Sequence, residues 1–466
     1  MKFRLLTIIV VIIALFSVSV AIAQDQTIAE IVGAQAETGE FTTLLAAVQA
    51  ADPAVLEALS GDGELTVFAP TDAAFAELPQ VVIDYLLAHP DLLTQVLLYH
   101  VVDGRVTSDD VTTMLADNDG TVNVTSMDMG NELLITSTED GIAINHANVD
   151  LGMADIEASN GIIHVIDSVL IPAIDLSYED PAFVEGDIVS EGSSTVTPLT
   201  ETMMSNYRQA AGGDSAAINP SHTRTGSGDG IAAFCAGEID IANASRPIKD
   251  TEIETCQANG LNPIGFRVGT DGIAVVVSPA NDWADDVTLE ELAAIFSTAT
   301  TWADVRAGWP EEDILRYTPG DESGTYDFFN EVVFESDESI PAAASNLTTN
   351  SDDNVLLLGA SENVNGASYF GYAYYVNNQD ALKLLSINGV QPNAASVEDG
   401  SYALARPLYL YTDANIIAEK PEVGEFIRYY LATVNDVIEG VGYFAPSEAG
   451  LNLAKLTILA LTEGAM

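Results

Sequence analysis

Positive charge is what this chain lacks most. It has 15 Lys and Arg against 70 Asp and Glu, a formal net charge of −55 over 466 residues. Nucleic acid and anionic membrane surfaces are polyanions and repel such a chain, so both are excluded as favoured partners. The same field opposes any free anion at long range, so an anion site here must win locally, through directed donors. The acidity runs along the whole chain, as in a solvated surface suited to salt or a cell exterior. Cysteine is scarcer still, with only Cys235 and Cys256. Neither has a neighbouring histidine, which argues against a thiolate–imidazole metal site. In an oxidising compartment they either pair, closing a loop of about 20 residues worth about 3 kcal/mol in the chain-entropy model, or stay as two buried thiols. Apolar runs long enough to span a bilayer are missing beyond the N-terminus. What remains is ample for folding: 48% of residues are apolar, and the length suits two to four domains.

The N-terminus reads as a secretory leader, residues 1–23. Lys2 and Arg4 precede the apolar run Leu5 to Ala23, and Ala21-Ile22-Ala23 forms a small-x-small cleavage site before Gln24. No cysteine stands at that point, so a lipid anchor is not indicated. The reading is an exported, soluble chain, periplasmic or at the cell surface, with an uncleaved anchor as the alternative. A domain boundary is expected at 173–186, where the polar stretch Ala173 to Pro181 follows a strand-like run ending at Pro172. Charge changes here too: residues 25–180 hold one basic residue, Arg105, and 12 Lys and Arg lie beyond 181.

The first module alternates helix and strand patterns. Phe41, Leu44, Leu45 and Val48 recur at helical spacing within Thr27 to Ala51. Leu65 to Pro70 reads as a strand, and Thr71-Asp72 as a cap for a helix over Ala73 to Leu78. Gly161 to Asp167 reads as a buried strand. Thr66-Val67-Phe68-Ala69-Pro70-Thr71-Asp72-Ala73-Ala74-Phe75, then Tyr99-His100, then Asn160-Gly161-Ile162-Ile163-His164-Val165-Ile166-Asp167 resemble the hallmark segments of the fasciclin-like domain, over residues 26–172. The resemblance implies a compact wedge-shaped α/β fold used in cell adhesion and matrix contacts, with no established catalytic site. His100 and His164 lie 64 residues apart with no evident third ligand. They fit buried, hydrogen-bonded core positions better than metal ligands.

The second module, 187–466, carries four small-residue loops: Gly192-Ser193-Ser194-Thr195, Gly226-Ser227-Gly228-Asp229-Gly230, Ala244-Ser245-Arg246-Pro247 and Ser323-Gly324-Thr325. Glycine admits close backbone approach, free N–H groups at a helix start favour negative charge, and hydroxyls donate without adding charge. One such loop is ordinarily a turn or cap; four, each beside an apolar run, suggest an oxyanion site. The runs themselves alternate strand and helix. Asp187-Ile188-Val189 leads to a helix over Val196 to Ala211, and Gly272 to Val277 has parallel-sheet character. Loops then fall at the carboxyl ends of strands, where open α/β sheets bind ligands.

These loops, with Thr270 to Val277, Asp321 to Thr325, Tyr369 to Tyr374 and Ala405-Arg406-Pro407-Leu408-Tyr409, resemble the phosphate-binding proteins of the bacterial phosphate ABC importer. The resemblance implies a two-lobed periplasmic-binding-protein fold of type II. Lobe 1 would be 187–275 and 404–466, lobe 2 276–403, with phosphate buried between them and a membrane permease as partner. By that resemblance Ser194, Thr195, Val196 (through its N–H), Ser227, Ser323, Gly324 and Thr325 are ligands. Ser245 and Pro319 stand where the best-known members have an aspartate and an arginine. Arg246 is the candidate for the missing cation, and Asp271 or Asp321 for the missing acceptor. Structural alternatives stand beside these: an ion pair for Arg246, a turn or cap for Asp271, solvent for Asp229 and Arg224, and core packing for the aromatic run 369–375. No serine makes a nucleophile elbow with a histidine partner, and His222, the sole histidine after 180, is expected in a polar loop. Binding without turnover and without a cofactor is the reading. A fasciclin-like module would serve matrix or surface attachment. The competing readings are an adhesion protein using this fold structurally and a binder of another oxyanion.

Overall fold

The computed structural model describes residues 26–128, 131–138, 141–320, 323–337, 339–398 and 400–464. The leader at 1–23 and the candidate acceptor Asp321 lie outside the described residues. The chain divides into two compact units, Met1–Asp175 with Lys455–Met466, and Leu176–Ala454. The sequence pattern places the second module's end at 466; the division falls at Ala454 instead. Within the first unit the Tyr85 hydroxyl donates to the Glu463 carboxylate at 3.0 Å, and Leu456, Ile458 and Leu461 are buried. Among the described residues no single helix is long and apolar enough to cross a membrane.

In the first unit, β1 (Leu65–Pro70), β2 (Val101–Asp103), β7 (Ile156–Ala158) and β8 (Gly161–Ile166) form one sheet in the order β2-β1-β8-β7. Strands β3 (Thr121–Thr125), β4 (Glu132–Thr138), β5 (Gly141–Ile144) and β6 (Ala147–Asn148) form an antiparallel meander. Every residue of β1 and β8 is buried, and the two run parallel, which explains why both are apolar apart from Thr66 and His164. Gly161 is required: at φ +154° its absent Cβ would stand 2.1 Å from the Leu65 carbonyl oxygen. The helical pattern of 27–51 is two helices, Ile28–Thr38 and Thr42–Ala50, broken at Gly39, φ +92°. The expected Thr71-Asp72 cap serves twice. Thr71 accepts the Ala74 N–H at 3.1 Å. Asp72 accepts the N–H groups of Thr42 and Thr43 at 3.0 and 2.7 Å, capping a helix whose own preceding residue, Phe41, supplies no side-chain bond.

Both core histidines are held as the residue types predict. His100 accepts the Leu170 N–H on Nε2 at 2.9 Å, so Nδ1 carries the proton shared with the Val96 carbonyl at 2.7 Å. Burial pushes its pKa down to about 4. His164 lies 2.8 Å from the Val106 carbonyl through Nε2 and accepts the Asp155 N–H on Nδ1 at 3.4 Å.

The second unit contains β9 (Gly186–Gly192), β10 (Ile218–Arg224), β11 (Ile241–Ala244), β12 (Ile264–Val277), β13 (Asp286–Val287), β14 (Leu315–Thr318), β15 (Leu347–Thr349), β16 (Gly366–Gly371), β17 (Lys383–Leu384), β18 (Ser386–Ile387) and β19 (Ala405–Thr412). Their main path runs β10-β9-β11-β19-β12-β16-β14-β15. Strand β12 changes partner midway. Ile264 to Gly272 pair with β19, and Ile273 to Val277 pair with β16. One strand therefore threads two sheet halves, with a register break between Arg267 and Gly269. The half containing β9–β11 is parallel within itself, each strand feeding a helix. Cys235 and Cys256 are joined by a disulfide, in a cluster with Ile231, Phe234 and Tyr411. In the other half, fully buried Arg316 donates to the carbonyls of Ile295, Ala299 and Ser345. Ile295 ends the helix Leu289–Ile295, whose last carbonyls favour a cation.

Candidate oxyanion site

Strand β9 ends at Gly192, φ +144°, where a Cβ would stand 2.1 Å from the Asn243 carbonyl oxygen on β11. Only glycine lets the chain turn there. Ser193 follows, its N–H held by the Asn243 carbonyl at 2.9 Å. The helix Thr197–Ala210 then begins, with Pro198 in its first turn. Gly226, φ +125°, precedes the helix Ser227–Cys235, and Ser323 caps Gly324–Phe334 by accepting the Thr325 N–H at 3.2 Å.

These elements bring the serines together. Ser193 Oγ lies 3.0 Å from Ser245 Oγ, and Ser227 Oγ lies 3.2 Å from it. The Ser245 N–H donates to Ser227 Oγ at 3.1 Å. Three of the four loops therefore share one hydroxyl cluster. The fourth arrives from the other sheet half: a Cβ on Gly324 would lie 3.4 Å from Thr195 Oγ1 and 3.7 Å from Ser194 Oγ. Thr195 is buried, and its carbonyl accepts the Tyr443 hydroxyl at 2.7 Å. Val196 is fully buried just ahead of the first helix.

The cations fall differently from the expectation built on Arg246. Its guanidinium makes a two-pronged pair with Glu252, at 2.8 and 2.7 Å. The Glu252 carboxyl is held below its usual range, first by that bond. Arg246 still stands at the edge of the second loop, its Nη2 3.9 Å from where a Gly228 Cβ would be, but its charge is already met. Arg406 occupies the interior instead. It faces Asp271 across the β12–β19 ladder, donates from Nε to Asp271 Oδ2 at 3.1 Å and from Nη2 to the Gly324 carbonyl at 2.8 Å. It lies over Phe328, 4.1 Å from the ring centroid. Arg406 and Asp271 are 7% and 3% exposed. Burial pushes the Asp271 carboxyl up, and Arg406 opposes that rise. Arg406 stood in a motif carrying the family resemblance without being given a role. A lone cation in an otherwise apolar strand was the available signal.

Asp229 and Arg224 are exposed. Tyr369 and Phe370 are buried, and Tyr369 stacks on Phe329 at 3.8 Å, so this part of the aromatic run is core. His222 lies on β10, not in a polar loop, and hydrogen-bonds to Thr197, Ser190 and Asn243. Its place in a strand beneath the first loop was hidden by the polar sequence around it.

A PBP superfamily domain matches residues 179–433 and a fasciclin domain residues 39–172. The phosphate-binding protein PstS of Staphylococcus aureus (strain USA300) is 36% identical over 271 residues, covering 57% of this chain and 80% of that protein. The chain belongs to the PstS phosphate-binding-protein family. The PstS of Staphylococcus saprophyticus is 34% identical over 267 residues, 56% of this chain and 81% of that protein. Among solved structures, a possible phosphate-binding protein from Planctomyces limnophilus DSM 3776 is 33% identical with a TM-score of 0.55, covering 60% of this chain and 99% of that one. This PstS-family chain thus carries a fasciclin domain ahead of its PBP-like domain, and both are α/β. The match begins at 39, after the helix Ile28–Thr38.

Proposed function

We propose that the second unit captures inorganic phosphate between its two sheet halves and presents it to the permease of an ABC importer. The observation that carries this reading is the meeting of Thr195 with Gly324 beside the buried Arg406–Asp271 pair. Hydroxyls of Ser194, Thr195, Ser227, Ser245, Ser323 and Thr325, with N–H groups at the helix starts including those of Val196 and Gly324, would replace phosphate's water shell. Arg406 supplies the cation and Asp271 the acceptor for a protonated oxyanion. Because Asp271 offsets Arg406, the donors contribute direction more than net charge, as a chain at −55 demands. Arg246 takes an outer role. Closure of the halves about β12 and β19 would bury the ligand. The fasciclin domain would hold the binder at the envelope or a matrix surface. Calorimetry of the whole chain with phosphate, with sulfate as competitor, tests the reading. Tight phosphate binding that sulfate does not displace supports it; no heat with phosphate, sulfate, molybdate or arsenate sinks it in favour of an adhesion protein.

A further inference from the structure

The first oxyanion loop rests on a polar network that donor counting alone does not explain. His222, on β10, reaches three elements. Its Nε2 lies 2.8 Å from Thr197 Oγ1 at the helix start, and its Nδ1 lies 3.0 Å from Ser190 Oγ on β9 and 3.1 Å from Asn243 Nδ2 on β11. Proton counting fixes the direction. The Asn243 amide nitrogen can only donate, so Nδ1 is an acceptor. The single Thr197 hydroxyl proton goes to the Ser193 carbonyl at 3.0 Å, so Nε2 carries hydrogen and donates to Thr197. Burial lowers the imidazole's pKa to about 4, so the ring is neutral at pH 7.

Both backbone groups of Ser193 are thereby held. The Asn243 carbonyl takes its N–H, and its carbonyl accepts both the Thr197 N–H at 3.1 Å and the Thr197 hydroxyl that His222 orients. The carbonyl so held belongs to the peptide that leads into Ser194, Thr195 and Val196. Asn243 is fully buried; its Nδ2 lies 3.1 Å from both His222 Nδ1 and Thr200 Oγ1, while among the described residues its Oδ1 has no hydrogen-bond partner.

We infer that His222 is a positioning residue for oxyanion capture: as a neutral imidazole protonated on Nε2, it orients Thr197 and so sets the seat of the Ser194–Val196 amides. The inference rests on the phosphate reading above but concerns a group that does not touch the ligand. Its test uses the whole chain, calorimetry with inorganic phosphate at pH 7, and variants chosen by atom. Glutamine mimics the Nε2 donor, asparagine mimics the Nδ1 acceptor, and leucine mimics neither. His222→Leu and His222→Asn should weaken phosphate binding about tenfold or more, and His222→Gln should stay within about threefold of the parent. Should His222→Leu fail to fold, Thr197→Val removes the same link while keeping side-chain shape, and should give the same loss. Nitrogen-15 NMR of the imidazole should report the Nε2–H tautomer. If the parent binds phosphate and all three His222 variants bind equally well, or if the ring is protonated on Nδ1, the inference fails and the phosphate reading stands. If the parent binds no oxyanion, the reading fails and takes the inference with it.

Discussion

The two units differ in whether they bury basic side chains. The first has one basic residue between 25 and 180, and its interior is tied by neutral donors. Asn160 accepts the Ile28 N–H at 2.8 Å and donates to the Leu59 carbonyl at 2.9 Å, while His100 bridges Val96 and Leu170. The second unit buries charge: Arg316 among carbonyls, and Arg406 against Asp271. A buried charge is costly and is kept where geometry compensates or function needs it. Arg316 meets the first condition, at a helix C-terminus. Arg406 stands beside the candidate site, paired with Asp271 and bonded to the Gly324 carbonyl. On the phosphate reading, the difference would separate charge kept for folding from charge kept for binding, and substitution can tell them apart.

The largest expected effect is at Arg406. Arg406→Ala removes the interior cation and leaves Asp271 buried and unpaired, a loss of about 2–5 kcal/mol, so phosphate affinity should fall about thirtyfold or more by calorimetry. Adding Asp271→Asn should recover thermal stability without recovering affinity. Recovery of both would make the pair structural, and the contrast with Arg316 would collapse.

Arg316→Met should show the reverse pattern. Four carbonyls, those of Ile295, Ile314, Ser345 and Ala299, lose their donor, so denaturant unfolding of the second unit should lose about 3–5 kcal/mol. Phosphate affinity of the folded fraction should change less than about threefold. An affinity loss as large as that of Arg406→Ala would erase the distinction.

The first unit should answer to pH through its neutral core. His100 has a folded pKa near 4, below its ordinary 6.5, because burial disfavours the charged ring. The unfolded chain therefore takes up a proton that the folded one refuses. Stability is full above pH 6.5 and falls toward pH 4, by about 3 kcal/mol. His222 adds the same sign of dependence in the second unit. His100→Gln should flatten the first unit's dependence between those limits and leave phosphate affinity unchanged, as followed by urea unfolding at stepped pH. An undiminished slope would mean that other groups carry it.

Much of this was legible in sequence because local chemistry and global fold agreed. The run Gly161 to Ile166, apolar but for His164, reads as a central strand. Gly192 and Gly226 mark turns at positive φ. The serine loops met because strand–loop–helix units put their loops at one sheet edge. The cations were less legible, since pairing across β12 and β19 joins residues 135 apart in sequence. Arg246 looked like the site's cation because it adjoins Ser245. Glu252, on the next helix, is what it meets. The spacing Arg246–Glu252 is visible in sequence, but which way a guanidinium turns at a strand end is decided by packing. His222 was obscured for a related reason: β10 reads as polar because several of its residues face solvent.

Arg246 gives the smallest and sharpest test. Its pair with Glu252 is part-exposed, so Arg246→Ala should change stability by about 1 kcal/mol or less and phosphate affinity by less than about threefold. That result alone would also follow if the arginine were idle. Glu252→Gln separates the cases, because it frees the guanidinium while leaving it in place. A fork that is merely parked would stay at the strand end, with affinity unchanged by calorimetry. One held back from the serine cluster would turn toward it, and phosphate would bind tighter as its local field gained an unopposed charge. The fixed two-pronged geometry, 2.8 and 2.7 Å, with the added Arg246 bond to the Pro247 carbonyl at 3.1 Å, favours the parked fork. Glu252→Gln should therefore leave affinity unchanged, and a tenfold gain would return Arg246 to the site.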